Sequence, residues 1–205
     1  MASAPQLVVG LGNPGARYAE TRHNAGFWFV DRLAARLDGR FATETRFHGE
    51  IARVAAGRAE GCWVLKPATF MNDSGRAVQR FIAYYDIPVQ HVLIVHDEVD
   101  FPAGVARLKQ GGGHGGHNGL RDVIACTGPD FMRLRLGVGH PGNKDEVVPY
   151  VLSRPTAGDR ALIDQAIERS LDVMPLVLAG DFAKAMTALH TDAGSVPEDE
   201  EDGDA

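Results

Sequence analysis

Residues 6–15 of the chain read QLVVGLGNPG, and they decide how the fold begins. The apolar run at residues 7–9 is typical of a buried strand, and the glycines that follow turn the chain into a polar loop. Open α/β sheets bind their ligands beyond the carboxyl ends of their strands, where such loops lie. Eight residues after Gly15 comes His23, in the segment TRHN. The sequence therefore predicts a functional site near the N-terminus that contains a titratable imidazole.

The same glycines spell G-x-G-x-x-G, a pattern that dinucleotide-binding folds also show. Those folds need a helix that opens directly at the glycines, with backbone N–H groups that hold a pyrophosphate. Here Pro14 removes one such donor, and residues 17–23 are polar without a helical period. Asp38 lies at about the distance of the expected acidic residue, but it closes a helical pattern instead of a second strand. These features exclude a dinucleotide, and we expect no cofactor.

Length and charge favour one folded domain followed by an acidic tail. A chain of 205 residues, 44% of them hydrophobic, can bury a core of its own. The net charge of −6 comes from six acidic residues between positions 198 and 204, and the rest of the chain carries 21 basic and 21 acidic residues. We predict a single domain over residues 1–191 and a disordered acidic tail over residues 192–205.

The chain carries no sign of export or of membrane insertion. No apolar run approaches the length that spans a bilayer. The first residues, MASAP, lack the basic start and apolar centre of a secretion signal. Two cysteines, Cys62 and Cys126, make no disulfide framework, which favours a reducing compartment. We therefore predict a cytoplasmic protein with no membrane partner.

Hydrophobic periodicity predicts alternating strands and helices. Mixed element order and a hairpin favour a single α/β domain with a twisted mixed β-sheet flanked by helices. Asn24 and Ser74 are predicted to cap the first two helices. The predicted strands are Leu7–Leu11, Phe47–Ala56, Cys62–Lys66, Val92–Val95, Val105–Leu108 and the half-exposed Arg133–Val138, and the predicted helices are Ala25–Leu37, Gly75–Tyr85, Asn118–Cys126, Ala157–Ala179 and Asp181–Leu189.

Four polar segments lie at the ends of these strands or in loops. Each also has a purely structural explanation. Asn13 can begin a turn with Pro14, His23 can be a helix-entry histidine, and Asn72 can be a helix cap. Asp97 can pair with any nearby base, and the glycine-rich segment can be a tight connection. Four such segments at strand exits nevertheless favour one shared site. The segments are residues 13–24, 66–75, 96–100 and 109–119.

Three of these segments resemble the signature of the bacterial peptidyl-tRNA hydrolases. They read NPGARYAETRHNAGF over residues 13–27, KPATFMNDSG over residues 66–75 and GGHNGL over residues 115–120. The resemblance runs from about residue 7 to about residue 189. It implies hydrolysis of the ester between a peptide and the 3′ end of tRNA, by a monomer whose partner is peptidyl-tRNA and not DNA.

Ester hydrolysis needs an activated water and a stabilised oxyanion, and the chemistry of these residues fits that task. An imidazole is a suitable base near neutral pH, and a carboxylate can fix its tautomer and orientation. We assign His23 as the general base and Asp97 as the residue that orients it. No metal is required in this mechanism, because the leaving group is a ribose hydroxyl.

The remaining residues of the motifs are assigned to substrate binding. Asn72 and Asn118 supply amide N–H donors to the water, the carbonyl or the developing oxyanion. Asn13 binds the peptide or the terminal ribose, and Met71 and Tyr18 form walls of the cleft.

RNA binding requires cations that contact phosphates. The candidates are Arg107, Lys109, Arg133 and Arg135. The resemblance implies that Lys109 and Arg135 clamp a tRNA phosphate. Solvated strand charges explain the same pattern without RNA.

Three other functions are compatible with parts of the sequence. His114 and His117, with ligands from residues 96, 97 and 100, could make a metallohydrolase. A serine or cysteine hydrolase is disfavoured because no G-x-S-x-G elbow is present, Cys62 lies in an apolar strand and Ser74 fits a cap. A non-catalytic RNA-binding module would have no use for His23 and its carboxylate partner.

Overall fold

A computed structural model describes residues 4–57 and 61–191 as one mixed α/β layer structure. Its sheet has seven strands in the order β2-β3-β4-β1-β5-β7-β6. Strand β1 is parallel to β4 and β5, and β5 is parallel to β7, whereas the β2–β3, β3–β4 and β6–β7 pairs are antiparallel. The predicted fold class is confirmed. The strands are β1 (Leu7–Gly10), β2 (Ala42–Glu44), β3 (Gly49–Val54), β4 (Cys62–Pro67), β5 (Val92–Glu98), β6 (Ala106–Gln110) and β7 (Met132–Gly137).

Helices cover both faces of this sheet. Within the described residues they are α1 (Ala25–Arg36), α2 (Ser74–Tyr85), α3 (Asn118–Thr127), α4 (Val147–Val151), α5 (Ala157–Leu178) and α6 (Phe182–Thr191). Successive strand residues point to opposite faces. Val8 and Val95 therefore enter one apolar core, with α1, α5 and α6, and Val9 and Ile94 enter the other, with α2 and α3. Burial of each such side chain contributes about 1.5–3 kcal/mol to folding.

Two glycines let α1 lie directly against the central strands. A Cβ atom at Gly10 would stand 2.4 Å from the carbonyl oxygen of Gly26, and one at Gly26 would stand 2.4 Å from that of Val95. Real Cβ contacts are never this short, so any side chain here would force the helix away. The close approach fixes the start of α1 over the carboxyl ends of β1 and β5, which is where the segment that contains His23 lies.

Strand β5 is longer than predicted, and this difference matters for the site. Apolar character stops at Val95, but the strand continues to Glu98. It does so because β7 runs beside it, with His96 opposite Arg135 and Asp97 opposite Leu136. Asp97 therefore lies on a paired strand and not in a free loop. Strand β2 and helix α4 were not predicted from the sequence, because they are too short to show a periodic pattern.

Three local predictions are wrong. Asn24 makes no side-chain cap on α1, because its side chain is bonded to the backbone of Asn13 instead. Ser74 lies inside α2, and its hydroxyl donates to the carbonyl of Met71. Strand β7 is not half-exposed, since Arg133 is only 3% exposed. Asn24 and Arg133 bind backbone groups 11 to 21 residues away along the chain, and Ser74 binds a carbonyl three residues before it, so none of them has the role that its residue type suggested.

Some predictions fall on residues outside the described ranges. The acidic tail at residues 192–205 and the centre of the β3–β4 turn at residues 58–60 are among them. In the part of the chain that is described, no helix combines the length and the apolar character needed to cross a bilayer.

Candidate active site

The centre of the site is a contact between a histidine and a carboxylate from distant segments. His23 lies in a short 3₁₀ turn before α1, and Asp97 lies near the end of β5. The Nδ1 atom of His23 is 2.9 Å from Oδ1 and 3.0 Å from Oδ2 of Asp97. The two residues are 8% and 3% exposed. With Nδ1–H donating to the carboxylate, Nε2 is the ring nitrogen left to accept a proton.

A second histidine, His117, binds the same carboxylate. Its Nε2 is 3.0 Å from Oδ1 of Asp97. Its Nδ1 accepts from the backbone N–H groups of Gly119 and Leu120, at 3.1 and 3.2 Å, and so caps α3. Because Nδ1 is an acceptor, Nε2 carries the hydrogen and donates to Asp97. From the sequence, His117 was considered only as a metal ligand. Its place in the GGHN motif was the available signal.

Charges inside the site favour an ionised carboxylate. Burial opposes charge on Asp97, but His23 and His117 outweigh it and hold the pKa of Asp97 far below its usual range. Burial likewise opposes charge on His23, yet Asp97 outweighs it and raises the pKa of His23 above 6.5. The pKa of His117 is lowered, chiefly by burial. Of the two histidines, His23 is therefore the one whose protonated form is stabilised by Asp97.

Asparagine amides approach this centre from two sides. The backbone N–H of Met71 donates to Oδ1 of Asn13 at 2.8 Å, and Asn24 binds both backbone groups of Asn13. This fixes the Asn13 side chain with its NH₂ group left for a ligand. On the opposite side, Oδ1 of Asn118 accepts from Arg121 at 3.0 Å, which again leaves an NH₂ group. Both amides are oriented as donors, the role that a developing oxyanion needs.

These groups line a cavity of about 840 Å³. Six of the nine predicted site residues contribute to its wall: His23, Asp97, Met71, Asn72 and the two oriented asparagines, Asn13 and Asn118.

 The other three predicted site residues, Tyr18, Lys109 and Arg135, are not among the residues that line this cavity. Tyr18 instead packs edge-on against Phe70, with ring centroids 6.3 Å apart.

One wall of the cavity is formed by α4, and Arg22 anchors it. Arg22, the neighbour of His23, is buried, and its guanidinium donates to Oγ of Ser153 at 2.8 Å and to the carbonyl of Arg154 at 2.9 Å. It also lies 4.0 Å from the ring centroid of Tyr150 in α4. No role for Arg22 was predicted from the sequence, because its partners are about 130 residues away along the chain.

The cations of β6 and β7 lie on one face of the sheet. Arg107 pairs with Arg135 and Lys109 with Arg133, and residues paired across strands share a face. The suggestion that Arg133 binds a phosphate is wrong, because its guanidinium is already bound inside the protein. Arg133 is buried and donates to the carbonyls of Gly112 and Gly113, and burial is the main cause that lowers its pKa to about 10. Its role here is to hold the glycine-rich loop.

Comparison with known proteins decides the family. The sequence profile described as Peptidyl-tRNA hydrolase matches residues 7–197. The chain belongs to the peptidyl-tRNA hydrolase family. This confirms the resemblance, and with it the prediction of a hydrolase.

Relatives and solved structures agree over nearly the full length of this family member. The Peptidyl-tRNA hydrolase of Coxiella burnetii (strain CbuG_Q212) is 51% identical over 192 residues, which cover 93% of this chain and 100% of that protein. That of Methylobacillus flagellatus is 52% identical over 187 residues, which cover 91% and 96%. A crystal structure of peptidyl-tRNA hydrolase from Acinetobacter baumannii matches with a TM-score of 0.88 and 46% identity, covering 93% of this chain and 96% of that one.

The residues that could bind a metal ion in this peptidyl-tRNA hydrolase family member differ from the set that the sequence suggested. His114 and His96 use their Nδ1 atoms locally, with the N–H of Gly116 and the carbonyl of Asp97. The donors that do converge belong to His23, Asp97 and His117, all within 4.8 Å of one another. They are already bonded to each other, and the Nε2–H of His117 faces the carboxylate. A metal ion would therefore have to replace both hydrogen bonds to Asp97.

Proposed function

We propose that this protein hydrolyses the ester bond between a peptide, or an N-blocked amino acid, and the 3′ end of tRNA, and so releases free tRNA. The observation that carries the proposal is the buried contact between His23 and Asp97 at a cavity with oriented asparagine amides. Family membership supports the substrate, because the relatives are named for it.

In the proposed reaction, Nε2 of His23 takes a proton from a water molecule as that water attacks the ester carbon. Asp97 stabilises the imidazolium that forms. The amides of Asn13, Asn72 and Asn118 are the available donors for the tetrahedral oxyanion. When the ester C–O bond breaks, the imidazolium returns its proton to the 3′ oxygen of the ribose. The hydroxyl group of the water is then part of the peptide carboxyl group, and its proton is on the 3′ hydroxyl of the tRNA.

Direct attack by water, without a covalent intermediate, is supported by the composition of the cavity wall. Among the described residues that line it there is no serine, threonine or cysteine. Cys62 and Ser74 are both buried, and the hydroxyl of Ser74 is bonded to the carbonyl of Met71. A carboxylic ester of a ribose hydroxyl needs no stronger nucleophile than an activated water.

The proposal extends to the partner and the compartment. Lys109 and Arg135 would contact a phosphate of the tRNA, with the protein acting as a cytoplasmic monomer on RNA and not on DNA or at a membrane. The shared face of β6 and β7 supports a common phosphate contact. Cys62 and Cys126 are not joined by a disulfide, which supports a reducing compartment.

The test is the release of tRNA from an N-acetyl-aminoacyl-tRNA by the purified protein, followed by rapid quenching and mass spectrometry of the enzyme. We expect free tRNA in catalytic amounts and no acyl adduct on any residue during turnover. For the His23→Ala variant, His91→Ala is the matched histidine control, because His91 binds Gln6 away from the cavity. No release of tRNA by the wild type refutes the activity, and an acyl-enzyme on the time scale of turnover refutes the direct attack by water.

A further inference from the structure

A second cavity, of about 490 Å³, lies on the other side of Asn13 from the first. We call it the Asn13 groove. It is formed by the loop that follows β1 (residues 14–16), by α1, and by the neighbouring parts of β3 and β4. Asn13 lines both cavities. The groove therefore adjoins the proposed catalytic site at Asn13, and nothing in the reaction described above uses it.

The position of the groove in the sheet separates it from the cations proposed to bind RNA. The order β2-β3-β4-β1-β5-β7-β6 places the groove beside β3 and β4, and Lys109 and Arg135 on β6 and β7. His23 and Asp97 lie between them, at the ends of β1 and β5. A peptidyl-tRNA extends from its ester in two directions, as RNA and as peptide. If the RNA extends from the ester toward β6 and β7, the peptide extends in the opposite direction, toward the groove beside β3 and β4.

The charges of the groove fit a peptide and oppose RNA. Nζ of Lys66 is 2.8 Å from a carboxylate oxygen of Asp31 and 3.4 Å from one of Glu50. The Lys66 side chain is only 16% exposed, whereas those of Asp31 and Glu50 are 49% and 45% exposed. One shielded cation against two accessible anions leaves the rim of the groove negative. A phosphate backbone would be repelled there.

The wall of the groove also offers apolar surface to an extended chain. Phe27 lines it, and Nζ of Lys66 lies 5.2 Å from the centroid of that ring. An extended peptide advances about 3.5 Å per residue. The residues just upstream of the esterified one would therefore reach the groove as soon as the chain passes Asn13.

We propose that the Asn13 groove binds the peptide part of the substrate, upstream of the esterified residue, and favours cationic over acidic side chains there. This inference rests on the proposed function. It adds a subsite for the residues that an N-blocked single amino acid does not have, and Asp31 and Glu50 set its charge preference.

The first test compares N-acetyl-aminoacyl-tRNA with a tetrapeptidyl-tRNA that has the same esterified residue. We expect the wild type to have a higher kcat/KM for the tetrapeptidyl substrate. Ala16→Trp places a bulky ring in the groove at an exposed position and should lower that preference. Ala183→Trp, at an exposed position of α6, is the matched control and should keep it.

The second test changes the charge of the groove. The wild type should hydrolyse a tetrapeptidyl-tRNA with lysine upstream of the ester about twofold to fivefold more efficiently than one with glutamate there, the range of an exposed ion pair. The double variant Asp31→Asn with Glu50→Gln should lose this preference. The control removes two exposed acids from α5, Glu168→Gln with Asp172→Asn, and should retain it.

The outcomes separate this inference from the activity on which it rests. If the wild type releases no tRNA from either substrate, the proposed function fails. If it hydrolyses both, but has no preference for the longer peptide, or Ala16→Trp behaves like Ala183→Trp, the groove does not bind peptide. If lysine and glutamate substrates are hydrolysed equally, or the preference survives in the groove double variant, Asp31 and Glu50 do not select the peptide.

Discussion

The Nδ1 atom of His23 lies 2.9 and 3.0 Å from the two carboxylate oxygens of Asp97, although 74 residues separate them in the chain. The contact depends on the glycine pair that seats α1 on the central strands, and on β7, which extends β5 as far as Asp97. Burial excludes water from the carboxylate, so its charge acts on the imidazole with little screening. The proposed base and its orienting partner are thus both products of the fold.

Replacement of Asp97 by Asn is expected to move the acid limb of the pH–rate profile to lower pH. Asp97 raises the pKa of His23, and the rate should rise as pH increases through that pKa, because the base acts in its neutral form. Without the carboxylate, burial alone acts and lowers the pKa. We also expect kcat to fall at least about tenfold through loss of orientation. An unchanged acid limb would show that Asp97 does not act on the base.

His117→Ala is expected to lower kcat with little change in KM, because it removes one of the two N–H donors that hold the Asp97 carboxylate. A hydrogen bond to a charged group contributes about 1.5–3 kcal/mol, so the loss should be about tenfold to a hundredfold. His114→Ala is the control from the same loop, since the Nδ1 atom of His114 accepts from the backbone N–H of Gly116 within that loop. Equal rates for the two variants would contradict a positioning role for His117.

Lys109→Ala is expected to raise KM for the tRNA substrate and leave kcat nearly unchanged. The slope of log affinity against log salt concentration should fall by about 0.7–0.9 if one phosphate contact is lost. Lys184→Ala, which removes an exposed lysine from α6, should leave both quantities as in the wild type. The phosphate clamp is refuted if the Lys109 variant keeps the wild-type salt slope.

Exhaustive chelation is expected to leave the activity intact. The histidine nitrogens nearest to Asp97 are used as hydrogen-bond donors to it, and imidazole activation of water needs no ion. The measurement is the rate of tRNA release before and after dialysis against a chelator, with the metal content of the sample determined. Loss of activity that a divalent cation restores would support the metallohydrolase instead.

Motifs in the sequence were sufficient to predict the family, the mixed sheet and the residues around the cavity, because these depend on local pattern and on a long signature. Contacts between distant segments were not predictable in the same way. His117 shares Asp97 only after α3 is placed beside β5, and Arg22 reaches α4 only in the folded chain. The predictions for Asn24 and Arg133 were wrong for the same reason. The Asn24 side chain, predicted to cap a helix, binds the backbone of Asn13, and the Arg133 side chain, predicted to lie at the surface, binds the carbonyls of Gly112 and Gly113.

The most direct measurement is tRNA release from N-acetyl-aminoacyl-tRNA by His23→Ala, with the affinity of the variant for tRNA measured in parallel. General base action accounts for about 10²–10⁴ in rate. We predict that kcat falls by about that factor while the affinity for tRNA stays within about twofold of the wild type, because Lys109 and Arg135 lie outside the cavity. Wild-type turnover by the His23→Ala variant would contradict the account.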